Sequence, residues 1–201
     1  MSRNPKREYF NELARRWDQL PAPPGAASRI EGFVEAAVEP PARVILDAGC
    51  GTGILLPALG RAAPESRVVE MDVAEQMLAE GRRKRDSEKI ARVCGDARRP
   101  PFAPGAFDLV LCFGVLPHLA PIEEALRVLL ECLRPGGLLS VGHLMGSEAL
   151  NALHASLDPV VAGDRLPSSE CLAALLTSLG AEVARREEAP DRYLVQARKR
   201  A

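Results

Sequence analysis

The sequence lacks the features that mark membrane, secreted and nucleic-acid-binding proteins. Its 26 Lys and Arg residues nearly balance its 27 Asp and Glu residues, so no positive excess points to a nucleic-acid partner. No apolar run approaches the length of a membrane span, and the polar start MSRNPKREYF lacks the apolar centre of a signal peptide. The 5 cysteines form no C-x-x-C pair, which argues against a zinc site or a disulfide framework. We therefore expect a cytoplasmic protein without a bound metal.

The most informative run is VILDAGCGTG, at Val44–Gly53. A short apolar strand ends at Asp47, a turn contains Gly49, Gly51 and Gly53, and an apolar helix-like stretch follows. This order forms a cradle for a nucleotide cofactor, because glycine lets the backbone turn tightly and approach a ligand. The third glycine comes one residue too early for a dinucleotide site, and Asp47 suits a cationic ligand better than a pyrophosphate. An oxidoreductase is therefore disfavoured.

Strands and helices alternate along most of the remaining chain. Apolar periodicity and breaking residues predict strands over Arg43–Asp47, Arg67–Asp72, Ala91–Cys94, Phe107–Cys112, Leu138–His143, Ala181–Arg186 and Tyr193–Ala197, and helices over Pro5–Leu20, Ser28–Val38, Ile54–Arg61, from Ala74 into the charged run at Arg82, Pro121–Leu133 and Ser168–Leu179. Such alternation is typical of an α/β protein with a mostly parallel sheet that is covered on both faces. Ligands of these sheets bind beyond the carboxyl ends of the strands.

Two further acids follow predicted strands. Asp72 ends the second strand, where a carboxylate can accept both hydroxyls of a ribose, and Glu70 is the fallback for this role. A helix N-cap is the alternative reading of Asp72. Asp96 follows the third strand, and a turn residue is its alternative. Asp108 begins the fourth strand, where we expect a structural role.

Several motifs, in the right order, resemble those of class I S-adenosylmethionine (SAM) methyltransferases, and most closely the methyltransferase-11 group with its quinone C-methylating enzymes. The matches are Asp47–Gly53 with D-x-G-x-G-x-G, Met71–Leu78 with vDxSxxML, Gly95–Ala97 with xGDA, Pro100–Val110 with lPFxxxxFDlV, and Leu133–Gly137 with LrPGG. The resemblance implies a Rossmann-like, seven-stranded, mostly parallel sheet with helices on both faces. It also implies SAM as cofactor and S-adenosylhomocysteine as product.

The resemblance assigns roles to the strand-end residues. Asp47 and the turn at Gly49–Gly53 are expected to hold the amino-acid end of SAM, Asp72 the ribose and Asp96 the adenine amine. Cys50 is expected to pack beside the cofactor and not to act as a nucleophile. The remaining expected contacts are Trp17, Val73, Met77, Ala97, Phe113, Gly114 and His118, where core packing is an equal alternative for Trp17.

The only histidines are His118, His143 and His154. His118 and His143 follow or end predicted strands, so they fall on the expected active face, whereas His154 lies in the insert behind them. Each is a candidate catalytic base or substrate contact, and a capping or half-buried polar residue is the alternative. Asn151 shares a face with His154 if the insert is helical.

We expect one domain over residues 1–201, with N-terminal helices acting as a lid (1–40), a SAM-binding core (41–145), and a substrate-side insert with closing strands (146–201). The expected function is methyl transfer from SAM to an O, N, S or C nucleophile of a small molecule, by a monomer or homodimer. RNA or protein as acceptor, with a partner subunit, is one alternative. A non-catalytic SAM-binding module is the other.

Overall fold

The computed structural model describes residues 4–39 and 41–200. Residues 1–3, 40 and 201, which belong to the expected single domain, lie outside the described residues. The described part contains a seven-stranded sheet in the order β3-β2-β1-β4-β5-β7-β6. Its strands are β1 (Val44–Ala48), β2 (Arg67–Asp72), β3 (Ile90–Cys94), β4 (Phe107–Phe113), β5 (Leu133–His143), β6 (Ala181–Ala189) and β7 (Arg192–Lys199).

Strands β1 to β5 pair in parallel, and β7 runs antiparallel to both β5 and β6. The predicted mostly parallel α/β architecture is therefore confirmed. Strand order reverses between β1 and β4, and the crevice beyond their carboxyl ends is the usual ligand position in such folds.

The helices flank the sheet on both faces. They are α1 (Pro5–Leu13), α2 (Ala26–Ala37), α3 (Leu56–Ala62), α4 (Glu75–Lys84), α5 (Ile122–Cys132), α6 (Ser147–Ala155), α7 (Pro159–Ala162) and α8 (Ser169–Ser178), with 3₁₀ helices at Ala14–Gln19 and Leu116–His118. None of the helices among the described residues combines the length and apolar content that a bilayer span requires.

The alternation of side chains along each strand divides the core into two layers. Ile45 of β1 and Leu109 of β4 join the buried cluster that α2 and α3 cover. Their chain neighbours Leu46 and Val110 join the opposite cluster, which α5 and α8 cover. Both faces of the central strands are thus buried, which is why these strands read as continuous apolar runs.

Asp108 fixes the start of the central pair of strands. Its Oδ2 accepts the backbone N–H groups of Arg43 and Val44, each at 2.7 Å, and its Oδ1 lies 2.6 Å from Nε of Arg134. The predicted structural role of Asp108 is confirmed.

The predicted helix over Pro5–Leu20 is wrong in its second half. The α-helix ends at Leu13, and a tighter 3₁₀ helix continues to Gln19. This change of pitch accompanies packing of Ala14 and Trp17 against Ala74 and Met77 at the start of α4.

The start of β5 also differs from the prediction. The strand begins at Leu133 instead of Leu138, because Leu133 already pairs with Phe107 of β4. The Arg134–Gly137 segment forms an irregularity, after which pairing resumes between Leu138 and Leu109. The insert after β5, for which the sequence predicted no elements, forms α6 and α7.

Candidate active site

The glycine turn after β1 requires glycine for both backbone and space. Gly49, Gly51 and Gly53 have φ angles of 75°, 56° and 79°, in the left-handed region that favours glycine. A Cβ on Gly49 would lie 2.2 Å from Cγ2 of Val115. A Cβ on Gly53 would lie 2.5 Å from Oε1 of Glu70. The turn therefore brings its backbone close to β2 and to the loop after β4.

Asp72 anchors this turn from the end of β2. Its Oδ2 accepts the N–H of Gly51 and its Oδ1 accepts the N–H of Ala74, both at 2.8 Å. Burial raises the pKa of the Asp72 carboxyl, and the backbone hydrogen bonds oppose that rise. Asp72 is not the N-cap of α4, because Ala74 holds that position and no side chain caps it. Asp72 instead binds the backbone of the glycine turn and of the β2–α4 loop, and it also lines the cavity above the turn.

Asp47 and Glu70 lie beneath the turn, each only 1% exposed. Oδ2 of Asp47 has no hydrogen-bond partner among the described residues. Burial, and then the nearby Glu70 and Asp72 carboxylates, hold the pKa of Asp47 well above its usual range. A buried carboxylate without a partner is costly unless a cation or a donor compensates it.

Glu70 was the fallback for the ribose contact, and the structure contradicts that role. Its Oε2 lies 2.8 Å from Nε of Arg92, the residue directly opposite it on β3. The two side chains form a buried ion pair whose atoms are not aligned for a hydrogen bond. Glu70 does not line the cavity, because Gly53 covers it. Its carboxylate instead supports the glycine turn from below.

One cavity lies above the turn, and most of the predicted cofactor contacts line it. They are Trp17, Gly49, Gly51, Asp72, Val73, Met77, Asp96, Ala97, Gly114 and His118. The other predicted contacts do not border this cavity: Asp47, Cys50, Gly53 and Phe113. Cys50 is buried, which raises the pKa of its thiol well above the usual range, and Phe113 packs on Phe33 with ring centroids 4.7 Å apart.

Asp96 borders the cavity and is held by a neighbour that sequence reasoning missed. Arg98 forms a two-pronged ion pair with it, with Nη2–Oδ2 at 2.6 Å and Nε–Oδ1 at 3.0 Å. Burial opposes ionisation of Asp96, but the Arg98 hydrogen bonds outweigh it and lower the pKa. The backbone N–H of Arg98 also donates to Asp96 Oδ1 at 2.9 Å, so the turn reading of Asp96 is correct as well.

The N-terminal segment covers the cavity, with Phe10 and Trp17 in its lining. Their ring centroids are 5.8 Å apart in an edge-to-face arrangement. Asp18 attaches the segment to the glycine turn, since the hydroxyl of Thr52 donates to Asp18 Oδ1 at 2.7 Å. Arg7 attaches it to α4 through Glu75, with Nε–Oε2 at 2.9 Å. Trp17 therefore both packs and lines the cavity.

His118 and His154 lie together on the far side of the cavity, with ring centroids 5.2 Å apart. Asp164, after α7, joins them: its Oδ2 lies 2.5 Å from Nδ1 of His118, and its carbonyl oxygen lies 3.0 Å from Nδ1 of His154. Lys6 of α1 lies 2.5 Å from Oδ1 of the same carboxylate. Neither Lys6 nor Asp164 stands in a recognisable motif, so no sequence signal pointed to them.

His143 lies at the end of β5, apart from that cavity. Its Nδ1 accepts the N–H of Met145 at 3.2 Å. Burial, and then the proximity of His154 and His118, lower its pKa to about 4, so the ring is neutral at physiological pH. His143 lines a second cavity of about 260 Å³, together with Phe33 and Phe113.

Asn151 is in helix α6 with His154, as predicted, but it binds backbone. Its Oδ1 accepts the N–H of Leu166 at 2.8 Å, and its Nδ2 donates to the carbonyl of Leu166 at 3.0 Å. These contacts hold the insert in place.

Comparison with known proteins agrees with this arrangement. Residues 46–141 match the methyltransferase-11 family model, described as a methyltransferase domain. The demethylmenaquinone methyltransferase of Thermus thermophilus is 37% identical over 145 residues, which are 66% of this chain and 62% of that protein. Residues 46–141 therefore carry a methyltransferase domain of this family. The chain spans 37% to 62% of the length of the first curated relatives that it matches.

Solved structures share the fold of this chain. A chain from a Haloferax volcanii complex that contains the Trm112 methyltransferase activator is 15% identical, with a TM-score of 0.82 and full coverage of both chains. A SAM-dependent methyltransferase from Aquifex aeolicus is 16% identical, with a TM-score of 0.71, over 96% of this chain and 98% of that one.

The residues around the cavity suit SAM, the cofactor of this family. SAM carries a positive sulfonium and an ammonium group, and the cavity has carboxylates at Asp72 and Asp96 on its wall. The unpartnered Oδ2 of Asp47 lies beneath the glycine turn. The open space beside Gly51, where a Cβ would meet only Trp17 Nε1 at 3.8 Å, leaves backbone available to a ligand.

Proposed function

We propose that this methyltransferase domain transfers a methyl group from SAM to an oxygen, nitrogen, sulfur or carbon nucleophile of a small molecule. The observation that carries the proposal is the meeting of Asp72 and Asp96 in one cavity above the glycine turn, although they follow different strands. Each acid is also fixed by local hydrogen bonds, so the cavity wall is preorganised.

The chain's own residues hold and orient the cofactor in this proposal. The Gly49–Gly53 turn, with Asp47 beneath it, holds the amino-acid end, Asp72 accepts from the ribose hydroxyls, and Asp96 accepts from the adenine amine. SAM when bound supplies a methyl group on a cationic sulfur, open to in-line attack by the acceptor. Trp17 and Phe10 exclude water from above.

The acceptor in this proposal approaches from the end of β4. The cofactor cavity includes Gly114, and the second cavity begins one residue earlier, at Phe113. This space of about 260 Å³ has aromatic side chains on part of its wall and charged ones on the rest, including Arg29, Arg185 and Arg192. It therefore suits a small aromatic molecule that carries polar or acidic groups. The neutral ring of His143 would offer a hydrogen bond there without a charge. The quinone-methylating names of relatives support an aromatic acceptor.

Cofactor binding is tested by isothermal titration calorimetry with SAM and S-adenosylhomocysteine. We expect Asp72→Asn to weaken binding more than tenfold, since a charged hydrogen-bond acceptor is worth about 1.5–3 kcal/mol. Glu65→Gln is the control, because this side chain is 91% exposed and far from the cavity lining. Asp72 also binds the glycine turn, so circular dichroism of Asp72→Asn checks that the substitution has not unfolded the chain. No binding of either ligand to the wild type would refute the proposal.

Acceptor class is tested by release of S-adenosylhomocysteine with panels of phenols, quinols, thiols and amines. Turnover by a small molecule supports the proposal. Turnover only with RNA or protein, or only after a partner subunit is added, would favour a macromolecular acceptor. Tight cofactor binding without turnover of any panel would favour a non-catalytic module.

A further inference from the structure

Asp164 is the centre of a cluster that joins three distant parts of the chain. Its side chain is only 9% exposed. Its Oδ2 lies 2.5 Å from Nδ1 of His118, and its Oδ1 lies 2.5 Å from Nζ of Lys6. Lys6 also donates to the carbonyl oxygen of His118 at 3.2 Å. Asp164 comes from the insert, His118 from the loop after β4 and Lys6 from α1. A carboxylate buried so fully is held there by its two partners.

The ionisation of Asp164 decides the proton positions on His118. Burial opposes ionisation, but the hydrogen bonds from His118 and Lys6 outweigh it and hold the pKa of Asp164 below its usual range. An ionised carboxylate only accepts hydrogen bonds, so Nδ1 of His118 carries the proton that lies between them. Nε2 of a neutral His118 then keeps its lone pair, on a ring that borders the cofactor cavity.

We propose that Asp164 is a positioning residue, which holds His118 in the tautomer whose Nε2 accepts a proton from the methyl acceptor. The inference rests on the proposed function. The bond between the acceptor's nucleophilic atom and its proton breaks, the electron pair stays on that atom, and the proton goes to Nε2. Asp164 then stabilises the imidazolium, which returns the proton to solvent. The acceptors that need this help are hydroxyl, amine or activated carbon nucleophiles that are protonated at neutral pH.

The opposing explanation is that Asp164 only ties α1 to the insert through Lys6. The two explanations separate because the carboxylate uses different oxygens for its two partners, Oδ1 for Lys6 and Oδ2 for His118. The charged and titratable groups that face His118 are Lys6 from α1, Asp72 from β2, His143 from β5, His154 from α6 and Asp164. Lys6→Met removes the contacts of Lys6 with Asp164 and with the carbonyl oxygen of His118, but it leaves the carboxylate on Nδ1 of His118. Asp164→Asn removes the carboxylate from both partners.

The first readout is the ring tautomer, from ¹⁵N NMR of labelled histidine in the full chain. We expect the neutral His118 ring to carry its proton on Nδ1 in the wild type and in Lys6→Met. In Asp164→Asn the amide can donate to Nδ1, which favours the opposite tautomer. Asp158→Asn is the matched control from the same insert, since that carboxylate only caps α7, and we expect it to match the wild type. A wild-type ring protonated on Nε2 would overturn the inference.

The second readout is turnover of an acceptor found in the screen above. We expect Asp164→Asn to lower kcat about 10- to 100-fold, with little change in the acceptor's KM. This loss is below the roughly 10²–10⁴-fold that a general base contributes, because His118 itself is retained. Equal losses of kcat in Lys6→Met and Asp164→Asn would overturn the inference and show that Asp164 only links α1 to the insert. If the wild type turns over no acceptor, the proposed function fails, while the tautomer still decides the role of Asp164.

Discussion

The two halves of the site are built in different ways. On the cofactor side, Asp72 reaches Gly51 across 21 residues of sequence, and Arg98 reaches Asp96 across 2. On the acceptor side, Asp164 reaches His118 across 46 residues and Lys6 across 158. Backbone conformation and short motifs therefore determine the first half, whereas side chains brought together by the fold determine the second.

From this difference we expect the two halves to tolerate sequence variation unequally. The glycine turn has positive φ angles and clashes that exclude side chains, so its sequence is dictated locally. The acceptor side uses an insert and a covering helix, which can change without disturbing the sheet. A cofactor platform of this kind can serve many acceptors.

The largest expected effect is on the support beneath the cofactor side. Arg92→Met leaves the Glu70 carboxylate buried without a counter-ion, and we expect it to lower the free energy of unfolding by about 3–5 kcal/mol. Urea denaturation measures this loss. Arg83→Met removes a cation from an exposed pair with Glu80 and should cost less than about 1 kcal/mol. Similar losses in the two variants would mean that the buried pair does not support the turn.

The next effect concerns the turn itself. Gly49→Ala adds a Cβ at a φ of 75° and 2.2 Å from Val115. Left-handed backbone costs about 1–2 kcal/mol and overpacking about 1–3 kcal/mol more, and we expect SAM binding to be lost as well. Gly32→Ala is the control, because its Cβ would meet nothing within 4 Å inside α2, and it should gain about 0.5–1 kcal/mol. Calorimetry that shows wild-type SAM affinity in Gly49→Ala would contradict the close approach.

The smallest effect tests the acceptor side through pH. The pKa of His143 in the folded state is about 4, below its usual 6.5, so the unfolded chain takes up this proton first as pH falls. Stability from this residue is complete above pH 6.5 and declines by about 3 kcal/mol as pH falls to 4. His143→Gln should remove this part of the pH dependence. If the free energy of unfolding changes with pH in the same way in wild type and variant, the His143 ring is not buried as the structure shows.

Prediction from sequence succeeded where local chemistry decides. The sheet, the glycine turn, Asp72 and Asp96 follow from periodicity and from motifs of a few residues. The motifs did not reveal that each acid also accepts a hydrogen bond from the backbone two residues later, at Ala74 for Asp72 and at Arg98 for Asp96. Glu70 was misjudged because its partner, Arg92, stands on another strand 22 positions later, and alternation alone does not reveal an ion pair.

The acceptor side resisted prediction for a physical reason. The three histidines could be named as candidates, but the carboxylate that orients His118 is one of three acids in an insert without a periodic pattern. Its importance arises only from long-range packing of α1 and the insert around the loop after β4. The end of the N-terminal α-helix at Leu13 likewise results from packing on α4, and helix propensity alone does not predict such packing.

Strand β3 is the outermost strand on its side of the sheet, and its backbone could in principle pair with that of another molecule. Arg92 turns its guanidinium inward from this strand and leaves the side chain only 2% exposed. An inward-facing charge on an outer strand is a known protection against intermolecular aggregation, since a foreign strand would have no counterpart for it. The same arginine that supports the glycine turn therefore helps to keep the molecule from assembling into extended sheets.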